Sequence, residues 1–260
     1  MRGGAGKILA VAANTFREAI RDRVLYNLVF FALLVMGVSV VLGQMTLGER
    51  LKIIQDVSLG GMSVFGLLIA VFVGIGLVHK EIQRRTIGIL LAKPVARWQF
   101  VVGKYLGLML VIALNVAVMT AFLFALMAAF SDAGMNPGIL KAVYLILVEL
   151  MVVTAVAILF STFSTPALSA MFTLGVWVIG RLSADLAFLA SKSESAVVRG
   201  VATVVHYTLP NLEKFDVKDL VVHRMPVPAE YLLFATGYGL VYILALMLLA
   251  VLVFERRDFK

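Results

Sequence analysis

A carboxylate or guanidinium inside an apolar stretch is the first place to look for chemistry in this sequence. Glu149 interrupts an otherwise uncharged run, and Arg181 and Asp185 stand four residues apart near the end of another. Ionised groups at membrane depth are costly, so they are paired or functional. Spaced four apart on one helix, Arg181 and Asp185 would share a face. Two readings follow. In one, Glu149, Arg181 and Asp185 line a substrate route or a proton relay. In the other, Arg181 and Asp185 form a structural ion pair that fixes helix packing, with Glu149 protonated. One acid and one pair do not make a relay chain, which favours the structural reading.

Other chemistry is poorly supplied. Cysteine is absent, which removes disulfides, thiolate metal sites and cysteine nucleophiles. Three histidines, His79, His206 and His223, make a histidine-rich metal site implausible, and no metal ligands are expected. Gly3-Gly4-Ala5-Gly6-Lys7 has the flavour of a phosphate loop. It lacks the earlier glycine at the required spacing, and Ile8 stands where a magnesium-binding Ser or Thr belongs. Ser39, Ser63 and Ser169 lack a nearby base in the sequence. No catalytic residue is therefore assigned, and no nucleotide-hydrolysing apparatus is visible.

The elements that must carry these groups are membrane spans. Of 260 residues 62% are hydrophobic and 15% charged, far from the roughly 45–50% and 25% of a soluble domain. Charge-free runs cover Val24–Gly48, Val57–His79, Tyr105–Ser131 and Tyr231–Phe254. Each exceeds the ~18–20 residues that cross a hydrocarbon core about 30 Å thick. The stretch from Ala142 to Gly180 would reach roughly 58 Å as one helix, so it must break. Ser161 to Pro166 is the place, because Pro166 disfavours helix at Thr165 and suits a first helical turn. The expected fold is all-α, with six spans near 27–46, 57–78, 105–130, 141–160, 166–188 and 230–254. Residues 1–26 form a leader and 27–260 one transmembrane domain.

Charge orients this array. The first 26 residues carry Arg2, Lys7, Arg17, Arg21 and Arg23 against Glu18 and Asp22, a balance of +3. Segment 79–104 carries six cations against Glu81, a balance of +5, and the tail from Glu255 adds +1. The opposite side holds two neutral loops and a long segment, 185–230, at −1. The basic side, with both termini, is expected in the cytoplasm. The formal charge of +8 reflects this asymmetry and not nucleic-acid binding. The first apolar run is of full span length and starts late, so it is expected to stay as an anchor.

Two segments outside the spans stand out. Ile8, Ala12, Phe16, Ile20 and Val24 recur every four residues with Arg17, Glu18, Arg21 and Asp22 between them. That pattern predicts an amphipathic helix over 8–25 lying in the cytoplasmic interface. Segment 79–104 is too long and too apolar for a plain connection, with breaks at Gly88 and Pro94 and an Ile87–Leu91 cluster between Arg85 and Lys93. A short helix with apolar knobs and a basic rim is expected there, as a docking element for another protein. On the other side, 189–229 is punctuated by Pro210, Pro226 and Pro228, and short helices packed on the outer mouth are expected. Gly103 and Gly107 make a Gly-x-x-x-Gly that permits close helix contact.

Residues Glu81 to Gly107 resemble the permease subunits of ABC type-two exporters. The resemblance rests on Glu81, Thr86, the aliphatic run Ile87–Ala92, Lys93-Pro94, Arg97, and Gly103-Lys104 at the opening of a span. It extends to the Phe16-Arg17-Glu18 leader and the Phe254–Asp258 tail. Leu209-Pro210-Asn211 with Phe215 also resembles a subset of such permeases associated with copper-enzyme maturation. Gln83 departs from the family, which often carries a second acid there.

The resemblance implies a permease that dimerises and pairs with two copies of a separate ABC ATPase. That ATPase would hold the ATP and magnesium, so this chain needs no cofactor of its own and is not itself an enzyme. The family's coupling element maps to Glu81, Arg84, Arg85, Thr86, Leu90, Lys93, Pro94, Val95 and Arg97. The expected setting is a bacterial or archaeal cytoplasmic membrane. Two rivals remain: a proton-coupled secondary transporter using Glu149, and a membrane scaffold or intramembrane enzyme.

Overall fold

The computed structural model describes residues 4–46, 49–83, 96–130, 136–192 and 195–256. Every regular element among them is helical. The order is α1 (Gly4–Ile20), α2 (Arg23–Gln44), α3 (Arg50–Gln83), α4 (Arg97–Phe130), α5 (Gly138–Phe163), α6 (Pro166–Arg181), α7 (Ser183–Ser191) and α8 (Ala196–Thr208). A 3-10 turn (Leu212–Phe215), α9 (Lys218–Val222) and α10 (Ala229–Glu255) complete it.

Five helices, α2, α3, α4, α5 and α10, are long and apolar enough to cross a membrane. A sixth span arises if α6 and α7 are taken together across a bend of 67°. The chain is thus a multi-pass membrane protein of five to six spans. The break between α5 and α6 falls where the sequence places it, with Thr165 extended and Pro166 opening α6. Continuous helix over 166–188 is not what the structure shows. Leu182 leaves the helical path, and α7 starts in a new direction.

Packing sorts the helices by environment. α5 is the most enclosed, burying Leu145, Ile146, Leu150, Val153, Ala157 and Ile158 among its neighbours. α2 and α10 instead turn Phe30, Phe31, Leu233, Phe234, Leu244 and Leu248 outward. In water such faces would be a liability. In a membrane they meet lipid, which offers the same apolar surroundings as a core.

The leader differs in detail from its expected outline. α1 ends at Ile20, and Asp22 caps α2 by accepting from the Val24 amide at 3.0 Å. Its Ala12, Thr15 and Ala19 are buried. A Cβ added at Gly103 would lie 2.7 Å from Val11 Cβ, and one at Gly107 would lie 2.6 Å from Thr15 Cβ. The Gly-x-x-x-Gly of α4 is therefore the groove that receives α1. Missing side chains let the two backbones approach this closely.

At the opposite end, residues 209–227 fold down onto the bundle. Leu212, Phe215, Val217 and Val221 are buried. Tyr238 accepts from the Asn211 amide at 2.8 Å, Asn136 Nδ2 donates to Val221 O at 2.9 Å, and Lys141 Nζ donates to Val227 O at 2.6 Å. Arg224 closes α9 in the left-handed region (φ 56), with Met225 N bonding Leu220 O and Arg224 N bonding Val221 O. That double bond satisfies carbonyls the short helix would leave open.

Candidate functional site

Two of the three charges the sequence singles out, Glu149 and Arg181, meet in one buried centre, though not as the spacing predicts. Glu149, near the middle of α5, has no solvent exposure. Arg181, the last residue of α6, reaches it with a side-on fork. Nε donates to Glu149 Oε1 at 3.0 Å and Nη2 donates to Oε2 at 2.9 Å. Trp177, one turn earlier on α6, donates its indole N–H to Oε1 at 2.9 Å. Ser63 of α3 accepts from Arg181 Nη2 at 2.7 Å and donates to Glu149 Oε2 at 3.3 Å. The third nitrogen, Arg181 Nη1, pairs with Asp216, which Lys218 Nζ approaches at 3.4 Å.

The Arg181–Asp185 pair is therefore corrected. The bend at Leu182 separates the two residues into different helices, so the four-residue spacing no longer sets a common face. Asp185 is exposed, and no ion pair is formed by it among the described residues. Arg181 takes its partners from α5 and from the polar stretch after Phe215. Bidentate pairing to one carboxylate plus a second carboxylate on the far nitrogen is a geometry only arginine supplies.

What this centre does physically is join α3, α5, α6 and the 209–227 cap at one point. Two acids and two bases give it no formal net charge. Burial is steepest at Glu149 and relaxes toward Asp216, whose side chain is 30% exposed. Ser63 is no activated nucleophile here, because the carboxylate beside it is engaged by the guanidinium and the indole. No group of three His, Asp or Glu able to hold a metal occurs among the described residues.

Sequence reasoning missed Trp177, Asp216 and Lys218, and it set Ser63 aside. Trp177 carried a usable signal: it lies four residues before Arg181 in one span, hence on one face. Asp216 and Lys218 carried none, since only the folding of the cap brings them to α6.

The second set of candidates lies at the other end of the bundle. Arg84, Arg85, Thr86, Leu90, Lys93, Pro94 and Val95 fall outside the described residues, and Glu81 falls in the last turn of α3. Arg97 opens α4. Its Nη1 donates to Glu255 O at 2.8 Å and to Phe254 O at 3.4 Å, at the C-terminal end of α10. Phe100, one turn on, stacks on Phe254 with centroids 5.9 Å apart and planes 14° from parallel.

The multi-pass helical bundle with charge at its two ends defines the class as an integral membrane protein. The model of the ABC-2 family transporter proteins matches residues 9–259, nearly the whole chain, and the chain belongs to that family. It is a membrane permease of an ABC transporter. A search of curated proteins gives no match to it.

Proposed function

We propose that this chain is the membrane subunit of an ATP-driven exporter, energised by an ABC ATPase carried on a separate polypeptide. The observation that carries this reading is helix length. α3 and α4 have 34 residues each, roughly 51 Å of helix against a hydrocarbon core of about 30 Å. The charges of α4, Arg97 and Lys104, lie in its first turns, so its surplus length falls at that end. Segment 84–95 joins the two helices there. The surplus carries this end of α4 past the hydrocarbon layer, within reach of a soluble partner.

Charge supports the same orientation. The basic end, with α1 and both termini, lies in the cytoplasm, and the cap at 209–227 lies outside. α1 then rests at the cytoplasmic interface with one side in the α4 groove. The permease works as a dimer with two ATPases, in a bacterial or archaeal cytoplasmic membrane. Closure of the ATPases pushes segment 79–104, centred on Glu81, Arg84, Arg85, Thr86, Leu90, Lys93, Pro94 and Val95, and so displaces α3 and α4.

Co-purification with the candidate ATPase tests this. Leu90→Asp with Lys93→Glu is expected to abolish ATPase capture while membrane insertion is unchanged. Capture that survives the double change removes 84–95 as the docking element. Single cysteines at Gln83 and Lys192, in a chain with none of its own, are expected to react from the cytoplasm and from outside respectively. Labelling of Gln83→Cys from outside overturns the orientation.

A further inference from the structure

We infer that Arg97 carries the ATP-driven displacement of the 84–96 segment into α10, the last helix of the bundle. This rests on the coupling reading above and adds to it a second output. Segment 84–96 is joined covalently only to α3 and α4, whereas α10 ends more than 150 residues later in the chain.

The contact is built for transmission. The last four carbonyls of a helix have no partner within it. At the end of α10, Arg256 N reaches back to Leu252 O, while the carbonyls of Phe254 and Glu255 are taken by one guanidinium nitrogen. A cation there also meets the negative end of the helix dipole. Arg97 follows Ala96 directly, so movement of the segment acts on its backbone without slack. One turn further, the buried Phe100 and Phe254 rings stack, and this adds a steric bearing to the polar hook. α1 lies in the Gly103–Gly107 groove of the same helix base. A push on Ala96 therefore reaches α4, α1 and α10 together. One guanidinium nitrogen is thus committed to this chain's own helix end.

The experiment needs no transported substrate. The permease, with its ATPase, is reconstituted in proteoliposomes carrying bimane on a single cysteine, either Leu244→Cys on the outward face of α10 or Leu110→Cys on α4. ATP with vanadate is expected to shift bimane emission at both positions when Arg97 is intact. With Arg97→Ala, the shift at 110 is expected to persist and the shift at 244 to be lost.

Shifts that survive at both positions overturn the inference. Loss at both, with the ATPase still bound, also overturns it, because Arg97 then serves the coupling of α4 as much as that of α10. If the unaltered permease neither binds the ATPase nor shifts at 110, the coupling reading fails and the inference falls with it. Arg97→Gln, which keeps side-chain bulk and an amide donor, is the second variant if Arg97→Ala does not insert. For it, a reduced shift at 244 with 110 unchanged supports the inference, and wild-type shifts at both overturn it.

Discussion

Arg181 and Arg97 are the same side chain put to two uses. Arg181 closes a helix and is surrounded by carboxylates, an indole and a hydroxyl drawn from four segments. Arg97 opens a helix and holds the bare carbonyls of another. In the first case an ion answers an ion in a dry site, so removal of either partner strands the other. In the second a cation answers a helix end, and its loss leaves only polar groups near a surface. The difference lies in what remains after truncation, not in the number of hydrogen bonds lost.

That contrast is broken most directly at Glu149. Glu149→Ala leaves Arg181 half-buried against Trp177 with one of its two carboxylate partners gone. It is expected to destabilise the protein by about 3–5 kcal/mol, read as a lowered unfolding midpoint in detergent. Glu149→Leu combined with Arg181→Leu is expected to recover most of this, because Asp216 keeps Lys218. A double variant as unstable as the single one would show that charge pairing is not what the centre contributes.

The basic end is probed through the α1 groove. Gly107→Leu drives a side chain into Thr15 and the Ala12 carbonyl, an overpacking cost of about 1–3 kcal/mol. A cysteine at Ala12, buried in the intact protein, is expected to become reactive to a water-soluble maleimide in that background. Continued protection would mean that α1 is held by contacts other than this groove.

The smallest effect is expected where the centre meets solvent. Asp216→Asn removes a charge that is 30% exposed and leaves Arg181 its fork on Glu149, so about 0.5–1 kcal/mol is expected by the same melting assay. A loss as large as that of Glu149→Ala would contradict the grading of this network by burial.

Much of the architecture was legible because the bilayer enforces it. Uncharged runs of span length, and Pro166 after a hydroxyl-rich turn, leave the chain few alternatives. Gly103 and Gly107 were legible as a contact groove, but their partner was not, since any helix with small residues fits. The charged centre was half legible. Glu149 and Arg181 stand out by depth alone, yet the Arg181–Asp185 pairing failed because helix periodicity was carried across Leu182. Gly180 stands two residues before the bend, but a lone glycine in an apolar run is tolerated inside a helix, so it announces the bend only weakly. Arg97 was assigned to a docking surface by its neighbours in sequence, whereas two of its fixed partners, the carbonyls of Phe254 and Glu255, lie more than 150 residues away.

The bend after Arg181 also sets a relation to the lipid itself. α6 has 16 residues, roughly 24 Å of helix, about 6 Å less than an average hydrocarbon layer. Either the membrane thins beside this helix or α7 tilts to make up the depth, and each adjustment costs a fraction of a kcal/mol per Å of hydrophobic mismatch. α4, with 34 residues on the same molecule, has surplus in place of deficit. Acyl-chain length therefore acts on the two helices in opposite senses: short chains relieve α6, and long chains shelter more of α4.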